Sequence, residues 1–559
     1  MNGEHSQKRF ASGVTALTLS VIAVKMIGLV YKIPLLKILG AEGMGYFNAA
    51  YEIYALFFVI STAGLPIAVS ILVSESLAVG KGRNVDKIHR VSFALFAVVG
   101  VIGSLVMGLG ARAFSAFLET PKATMSILAI SPTVLLVCIS GAMRGLFQGY
   151  QNMKPTAISQ VIEALGKLVL GLLFAALAAR AGHSPRLCAA YAALGITVGS
   201  LLSTVYLLVS RPVVDFACPD TLRLTETDPT RHILHRLMLL AIPVTLSTSL
   251  SGLTRVVDMS MIFRRLGRIG YEGTVLASMY GSYSTLAVPL YNLPSSLVAG
   301  ISLSLVPTLT EAAEAGQERQ CTELVETSLR MCLFLSLPCS VGMALFARPI
   351  LSILFAGEDS SIAIAAPMLS VLAFSVCSSC LMGVTNAILQ AYRKAMLPIF
   401  SMLVGVAVKV LTAYILMGVP SVGIYGVAIS TLVCNTVTVG MNLYFIDRYT
   451  NVKYNLIKLS VPSMLSSFLS VGIAFWIWRL LCDRMNLPTL GFLLSVLLAA
   501  LLYFLVGGKM GVYGSCEVRM LPGGEKMLTL LMKLGCIKRK DIKNEQRGYN
   551  QGASVEAEI

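Results

Sequence analysis

Long apolar runs follow one another from residue 12 to residue 507, and they constrain this chain more than any motif in it. A segment crossing a membrane must satisfy its own backbone groups, which a helix does with about 20 consecutive apolar residues. Runs bounded by charge or by Gly/Pro fall at 12–39, 46–77, 91–111, 124–150, 155–179, 187–210, 236–263, 274–310, 331–347, 361–391, 396–419, 421–446, 459–481 and 488–507. The expectation is an all-α polytopic membrane protein with about 14 transmembrane helices. The runs are continuous rather than alternating, which excludes an outer-membrane barrel. With 56% apolar and 13% charged residues, a soluble enzyme, a disordered chain and a coiled coil are excluded as well.

A net charge of +16 would suggest nucleic acid if it formed a patch. Here the charges sit in short loops and a basic tail, the pattern of topology signals, so no nucleic-acid partner is expected. With both termini in the cytoplasm, 27 Lys/Arg lie in cytoplasmic segments, 11 in external ones and six inside spans. Loop 80–90 alone carries Lys81, Arg83, Lys87 and Arg90, and the tail carries nine. The expected orientation therefore keeps both termini in the cytoplasm, with loop 264–273 outside despite its three arginines. The first run is too long for a signal-peptide core, so no cleaved leader is expected. The twelve cysteines are scattered, and Cys377 and Cys380, a C-x-x-C on an apolar helix, read as packing. All five histidines fall in loops or tails, so neither a metal site nor a cofactor is expected.

The chain also repeats itself. Thr18-Leu19-Ser20 and Lys37-x-Leu39-Gly40 recur 227 residues later as Thr245-Leu246-Ser247 and Arg264-x-Leu266-Gly267. Gly64, Glu75 and Gly80 recur at 236 as Gly300, Glu311 and Gly316; Gly141, Gln148, Tyr150 and Lys167 recur at 242 as Gly383, Gln390, Tyr392 and Lys409. The slow drift of offset is what loop insertions produce. Six spans per half is an even number, so the halves run parallel about an axis along the membrane normal. The expected organisation is an N-lobe (1–210, helices 1–6), a cytoplasmic linker (211–232), a C-lobe (233–450, helices 7–12), helices 13–14 (451–507) and a cytoplasmic tail (508–559). Residues 525–534 of the tail read equally as an interfacial amphipathic helix or a basic topology segment, and 541–559 as disordered. Pro66, Pro289, Pro294 and Pro307 fall inside the long second and eighth runs, where prolines kink helices.

The six cations inside spans and away from their ends are Lys25, Lys32, Arg144, Lys167, Arg255 and Lys409; the embedded anions are Glu52, Glu75, Glu163 and Asp258. A charge at mid-membrane costs several kcal/mol and faces a partner or a wet cavity. Lys25 and Lys32 are two helical turns apart and share a face. Glu163–Lys167 and Arg255–Asp258 have the spacing of intrahelical pairs. Arg144, near the cytoplasmic end, reads as snorkelling, and Glu75 and Glu311 as solvated. Lys25, Lys32, Lys167, Arg255 and Lys409 are the candidates for a cationic cavity that takes an anionic headgroup, with Glu52, Glu163 and Asp258 as charge partners. Snorkelling and structural pairing remain the competing account.

Residues 25–75, KMIGLVYKIPLLKILGAEGMGYFNAAYEIYALFFVISTAGLPIAVSILVSE, resemble the opening of the polysaccharide-biosynthesis flippases. RGLFQGYQNMKPTAISQVIE (144–163) and NLPSSLVAGISLSLVPTLTEA (292–312) resemble the same family, which lies in the multidrug/oligosaccharidyl-lipid/polysaccharide exporter superfamily. The resemblance is nearest the stage V sporulation branch and more distant from the lipid II flippases. It implies a V-shaped bundle of two six-helix lobes plus two C-terminal helices, with helices 1, 2, 7 and 8 lining a cationic cavity. It also implies transfer of a polyprenyl-pyrophosphate-linked sugar, an anionic glycolipid partner, from the inner to the outer leaflet. The lipid II flippases carry arginines on helices 1, 2 and 8. Here Lys25 and Lys32 take the first-helix positions, while runs 46–77 and 274–310 contain no Lys or Arg.

Two other functions fit such a chain. A cation-coupled multidrug exporter would want an acidic, aromatic cavity, whereas the embedded charge here is six positive against four negative. A membrane glycosyltransferase or polymerase would want a large external segment with acid/base residues, and the longest polar connection is the short 211–232.

Overall fold

The computed structural model describes residues 2–62, 64–79, 81–150, 152–213, 227–485 and 488–513. These form seventeen α-helices and no strand. They are α1 (Asn2–Thr62), α2 (Leu65–Ala78), α3 (Gly82–Leu109), α4 (Ala111–Phe117), α5 (Thr124–Ile130), α6 (Pro132–Gly149), α7 (Lys154–Arg180), α8 (Pro185–Val213) and α9 (Thr230–Met261). Then follow α10 (Gly273–Ser282), α11 (Val288–Glu314), α12 (Glu318–Leu354), α13 (Asp359–Ala391), α14 (Met396–Leu416), α15 (Tyr425–Tyr449), α16 (Leu456–Met485) and α17 (Pro488–Lys509). Eleven helical segments among the described residues are long and apolar enough to cross a membrane. The protein is an all-helical, multi-pass membrane protein. Most of linker 211–232, and the tail readings at 525–534 and 541–559, lie outside the described residues.

The junction between the first two runs is a break, not a loop. At Gly40 the backbone takes φ 66 and ψ 173, and helix continues on both sides. Nothing stands within 4 Å of a Cβ placed there, so the glycine answers to its dihedral rather than to space. The second run is interrupted again before α2, where Pro66 lies in the first helical turn. The expected mid-helix kink at Pro66 is thus a helix start, the position proline tolerates best. Pro289 likewise opens α11, preceded by a π-helical turn at Tyr283–Ala287; a second π turn, Ile262–Leu266, follows α9.

By contacts the chain divides into two units: Met1–Thr285 with Tyr414–Ile424, and Leu286–Ala413 with Tyr425–Ile559. This division runs past the 211–232 connection because α9 and α10 pack on α1, and α9 on α2. Arg265 ties 414–424 to the first unit, donating to the Tyr414 carbonyl (3.1 Å) and lying 4.1 Å from its ring centroid. Within this unit Leu65, Val69, Phe96, Leu146 and Leu237 bring α2, α3, α6 and α9 into one apolar core. α7 and α8 meet glycine to glycine: a Cβ on Gly195 would lie 2.3 Å from Gly171 Cα. Small residues allow that approach where lipid supplies no hydrophobic drive.

The second unit is built on α11, α12, α13 and α15, with Leu309, Val325, Val384 and Ile446 in its core. α16 and α17 pack together, and Phe346 of α12 sits edge-on against Phe475, Trp478 and Phe492. Cys377 and Cys380 are free thiols inside α13.

Candidate functional site

The polar interior of the first unit is organised by the two arms of α1 on either side of Gly40. The first arm carries Lys25, Tyr31 and Lys32; the second carries Phe47, Tyr51, Glu52, Tyr54 and Phe58. Spacings of four, three and four residues place the four aromatics on one helical face. They form a ladder, with centroids 6.3 Å apart for Phe47–Tyr51 and 5.7 Å for both Tyr51–Tyr54 and Tyr54–Phe58. α7 lies against this face, and at Gly171 a Cβ would come 2.6 Å from the Tyr31 hydroxyl. Between these helices is a cavity of about 340 Å³ whose lining includes Lys25, Tyr51, Tyr54, Arg144, Glu163 and Lys167.

Arg144 does not snorkel. It is 8% exposed, and its guanidinium donates to Ser159 Oγ (3.0 Å), Glu163 Oε2 (2.9 Å) and Ser203 Oγ (3.2 Å). Ser203 Oγ in turn donates to the Ser159 carbonyl at 2.9 Å. The partners come from α7 and α8, beyond any i±4 reading of α6 itself. The correction carries over to Glu163, whose ion pair runs to Arg144 and not to Lys167. Lys167 instead holds its ammonium over two rings, 4.4 Å from the Tyr51 centroid and 5.5 Å from that of Tyr31. The cavity wall therefore pairs a fixed, neutralised arginine with a lysine that lies over aromatic faces.

Lys32, Glu52, Arg255 and Asp258 form a second group in the same unit. Lys32 Nζ donates to the Ser284 carbonyl (2.9 Å) inside the π turn, and its charged neighbours are Lys167, Glu52 and Arg255. Arg255 reaches Glu52 on α1 at 3.4 Å, so its ion pair crosses between helices instead of following α9 to Asp258. Asp258 is buried, and both it and Arg255 lie within electrostatic range of Glu52. Close by, Asn48 Nδ2 donates to Thr285 Oγ1 at 2.8 Å.

The structure thus brings Lys25 and Lys167 to one cavity and sets Lys32 and Arg255 beside it. Lys409 belongs to the second unit, on α14, where it is 3% exposed. Glu75 pairs with Arg236 at 2.7 Å, both half-exposed, and Glu311 is exposed. Among the described residues no three His/Cys/Asp/Glu side chains are grouped to hold a metal. The tyrosines and the anchoring role of Arg144 were missed from sequence. The aromatic spacing on α1 was a signal for the first; nothing in α6 signalled the second.

Comparison with known proteins fits this geometry. The sequence pattern of a family described as polysaccharide biosynthesis protein matches residues 10–313, and that of the MatE family matches 275–415. Stage V sporulation protein B of Bacillus subtilis (strain 168) is 27% identical over 433 residues, covering 76% of this chain and 81% of that one. The lipid II flippase MurJ of the same organism is 24% identical over 538 residues, 91% of this chain and 97% of that one. Among solved structures, a lipid II flippase MurJ in an inward closed conformation superposes with a TM-score of 0.65 at 16% identity, covering 88% of this chain and 98% of that one. That last likeness is one of fold.

Proposed function

The chain belongs to the polysaccharide biosynthesis protein family, and from that premise we propose that it is a lipid-linked oligosaccharide flippase. It moves an anionic polyprenyl-pyrophosphate glycolipid, a cell-wall or polysaccharide precursor of the lipid II kind, from the inner to the outer leaflet. The observation that carries this reading is the cavity bearing Lys25 and Lys167 inside the first unit. A pyrophosphate entering hydrocarbon loses its hydration, and only fixed cations in a low-dielectric site offset that loss. Lys25, Lys32, Lys167 and Arg255 are the proposed cationic residues, with Glu52, Glu163 and Asp258 setting how much of that charge stays available, whereas Lys409, 3% exposed in the second unit, is proposed to act on stability. No bond is made or broken, so no catalytic residue is required.

The proposed movement is alternating access: the N-lobe (1–210) and the C-lobe (233–450) rock about the duplication axis, with 451–507 as an appendix. The protein is proposed to lie in the bacterial cytoplasmic membrane with both termini inside. Labelling of Tyr271→Cys in a cysteine-free background tests the orientation. Position 271 is preferable to Gly270, whose φ of 106 strains any side chain. Reaction with an impermeant maleimide in intact cells is expected; labelling only after permeabilisation reverses the topology.

A cation-coupled multidrug exporter is the second reading, favoured by the MatE match at 275–415. Purified protein in liposomes separates the two. Appearance of a polyprenyl-pyrophosphoryl disaccharide in the opposite leaflet, above protein-free vesicles, supports the flippase. Transport of organic cations with no glycolipid movement overturns it.

A further inference from the structure

Resting on the flippase reading, we infer that Tyr51 is a sugar-stacking platform which Lys167 covers until a phosphate draws the lysine away. Both residues line the same cavity, and Lys167 Nζ stands 4.4 Å from the Tyr51 centroid. Phe47 lies near-parallel to Tyr51 (15°), and Tyr54 leans on it at 54°, so the ring is braced by its own helix. Tyr54 is 3% exposed and Tyr31 only 1%, whereas Tyr51 is half-buried; of the three it has the most face to offer.

The π face that attracts an ammonium also attracts the weakly positive C–H face of a pyranose. The two compete for one surface. An ammonium–phosphate contact is a charge-assisted hydrogen bond and is stronger than a cation–π contact, so an arriving pyrophosphate takes Lys167 from the ring. Arg144 cannot answer in the same way, because Ser159, Glu163 and Ser203 already hold its guanidinium. Vacating Tyr51 opens a stacking surface beside the bound phosphate, where the first sugar of the glycolipid must lie. Recognition is therefore ordered, phosphate first and sugar second. A pyranose with an unbroken C–H face is the preferred head.

The test compares two ligands on the full-length protein in detergent: a polyprenyl pyrophosphate without sugar, and the same lipid carrying a disaccharide. Tyr51→Leu is expected to weaken the glycosylated lipid about tenfold and to leave the sugar-free lipid bound at least as tightly as by wild type, since the ring no longer competes for Lys167. Tyr51→Phe, which keeps the ring, should bind both as wild type does. Lys167→Met should weaken both. The sugar-free lipid reports folding of the two Tyr51 variants within the same series, and thermal unfolding reports that of Lys167→Met. If Tyr51→Leu weakens both ligands equally, or neither, the platform is wrong while the flippase reading stands. If the wild type binds neither lipid, the flippase reading itself falls and takes the platform with it.

Discussion

Lys167 and Lys409 hold matching places in the two halves of the sequence, yet one lies over tyrosine rings at a cavity and the other is 3% exposed inside its own unit. The same divergence recurs elsewhere in the repeat. Gly40 breaks α1 at φ 66, whereas Gly267 follows a π turn with right-handed helical dihedrals. Gly64 lies against α9, where a Cβ would be 2.1 Å from the Ala241 carbonyl oxygen, whereas nothing stands within 4 Å of a Cβ on Gly300. Of the six cations set away from the ends of the spans, five belong to the first unit and only Lys409 to the second. The two units thus surround equivalent positions differently: Lys167 lines a cavity and Gly64 meets a neighbouring helix, whereas Lys409 is enclosed and Gly300 has open space around it.

The largest expected effect breaks or confirms that asymmetry directly. Lys25→Ala and Lys167→Ala should each lower flipping in reconstituted vesicles by at least about tenfold, the worth of one charged hydrogen bond to phosphate. Expression should hold, because Glu163 is satisfied by Arg144 and is not orphaned when Lys167 is truncated. Lys25→Arg should retain activity. Lys409→Met should act on thermal stability and leave the rate of the folded protein near wild type. A folded Lys409→Met protein that flips as poorly as Lys25→Ala would make the two units equivalent after all.

Arg144→Ala comes next, and its readout is stability. Removing one partner of a buried ion pair costs about 3–5 kcal/mol, since the other charge is left behind. Unfolding in detergent should show that loss, and Arg144→Ala with Glu163→Ala should recover part of it. Arg144→Lys should rescue poorly, because a single ammonium does not reproduce the guanidinium's three directed bonds. Wild-type stability in Arg144→Ala would restore the snorkelling account.

These two cases show what sequence could and could not deliver. The helical class followed from run length alone, because a bilayer leaves backbone few other options. The embedded cations were visible because charge in an apolar run is costly wherever it goes. Their partners were not. Intrahelical spacing suggested Glu163 with Lys167 and Arg255 with Asp258, while the folded chain pairs Glu163 with Arg144 and Arg255 with Glu52. A spacing rule sees one helix at a time, and at two or more neighbouring helices the nearer opposite charge wins. Both π turns, Ile262–Leu266 and Tyr283–Ala287, escaped as well.

A smaller effect probes the glycines that the repeat retains. Gly64→Ala forces its Cβ onto the α9 backbone and should destabilise by about 1–3 kcal/mol, as overpacking does. Gly300→Ala, with open space inside α11, should be neutral or stabilise by about 0.5–1 kcal/mol through helix propensity. Equal losses at both positions would mean the two sites are more alike than their surroundings indicate.

The smallest expected effect concerns Glu75 and its counterpart Glu311. Glu75 closes α2 and bonds Arg236 of α9 at 2.7 Å, but the two side chains are 48% and 39% exposed. Water competes for both charges there, so the pair is worth about 0.2–1 kcal/mol and weakens with salt. Glu75→Gln should therefore shift unfolding slightly at low ionic strength and not at all at high. Glu311→Gln, on an exposed carboxylate, should shift it less still. Neither should alter flipping, since neither residue lines the cavity of Lys25 and Lys167. If Glu75→Gln changed the flipping rate more than tenfold with stability intact, the α2–α9 pair would be a gate. Function would then extend from the cavity charges to this surface bridge.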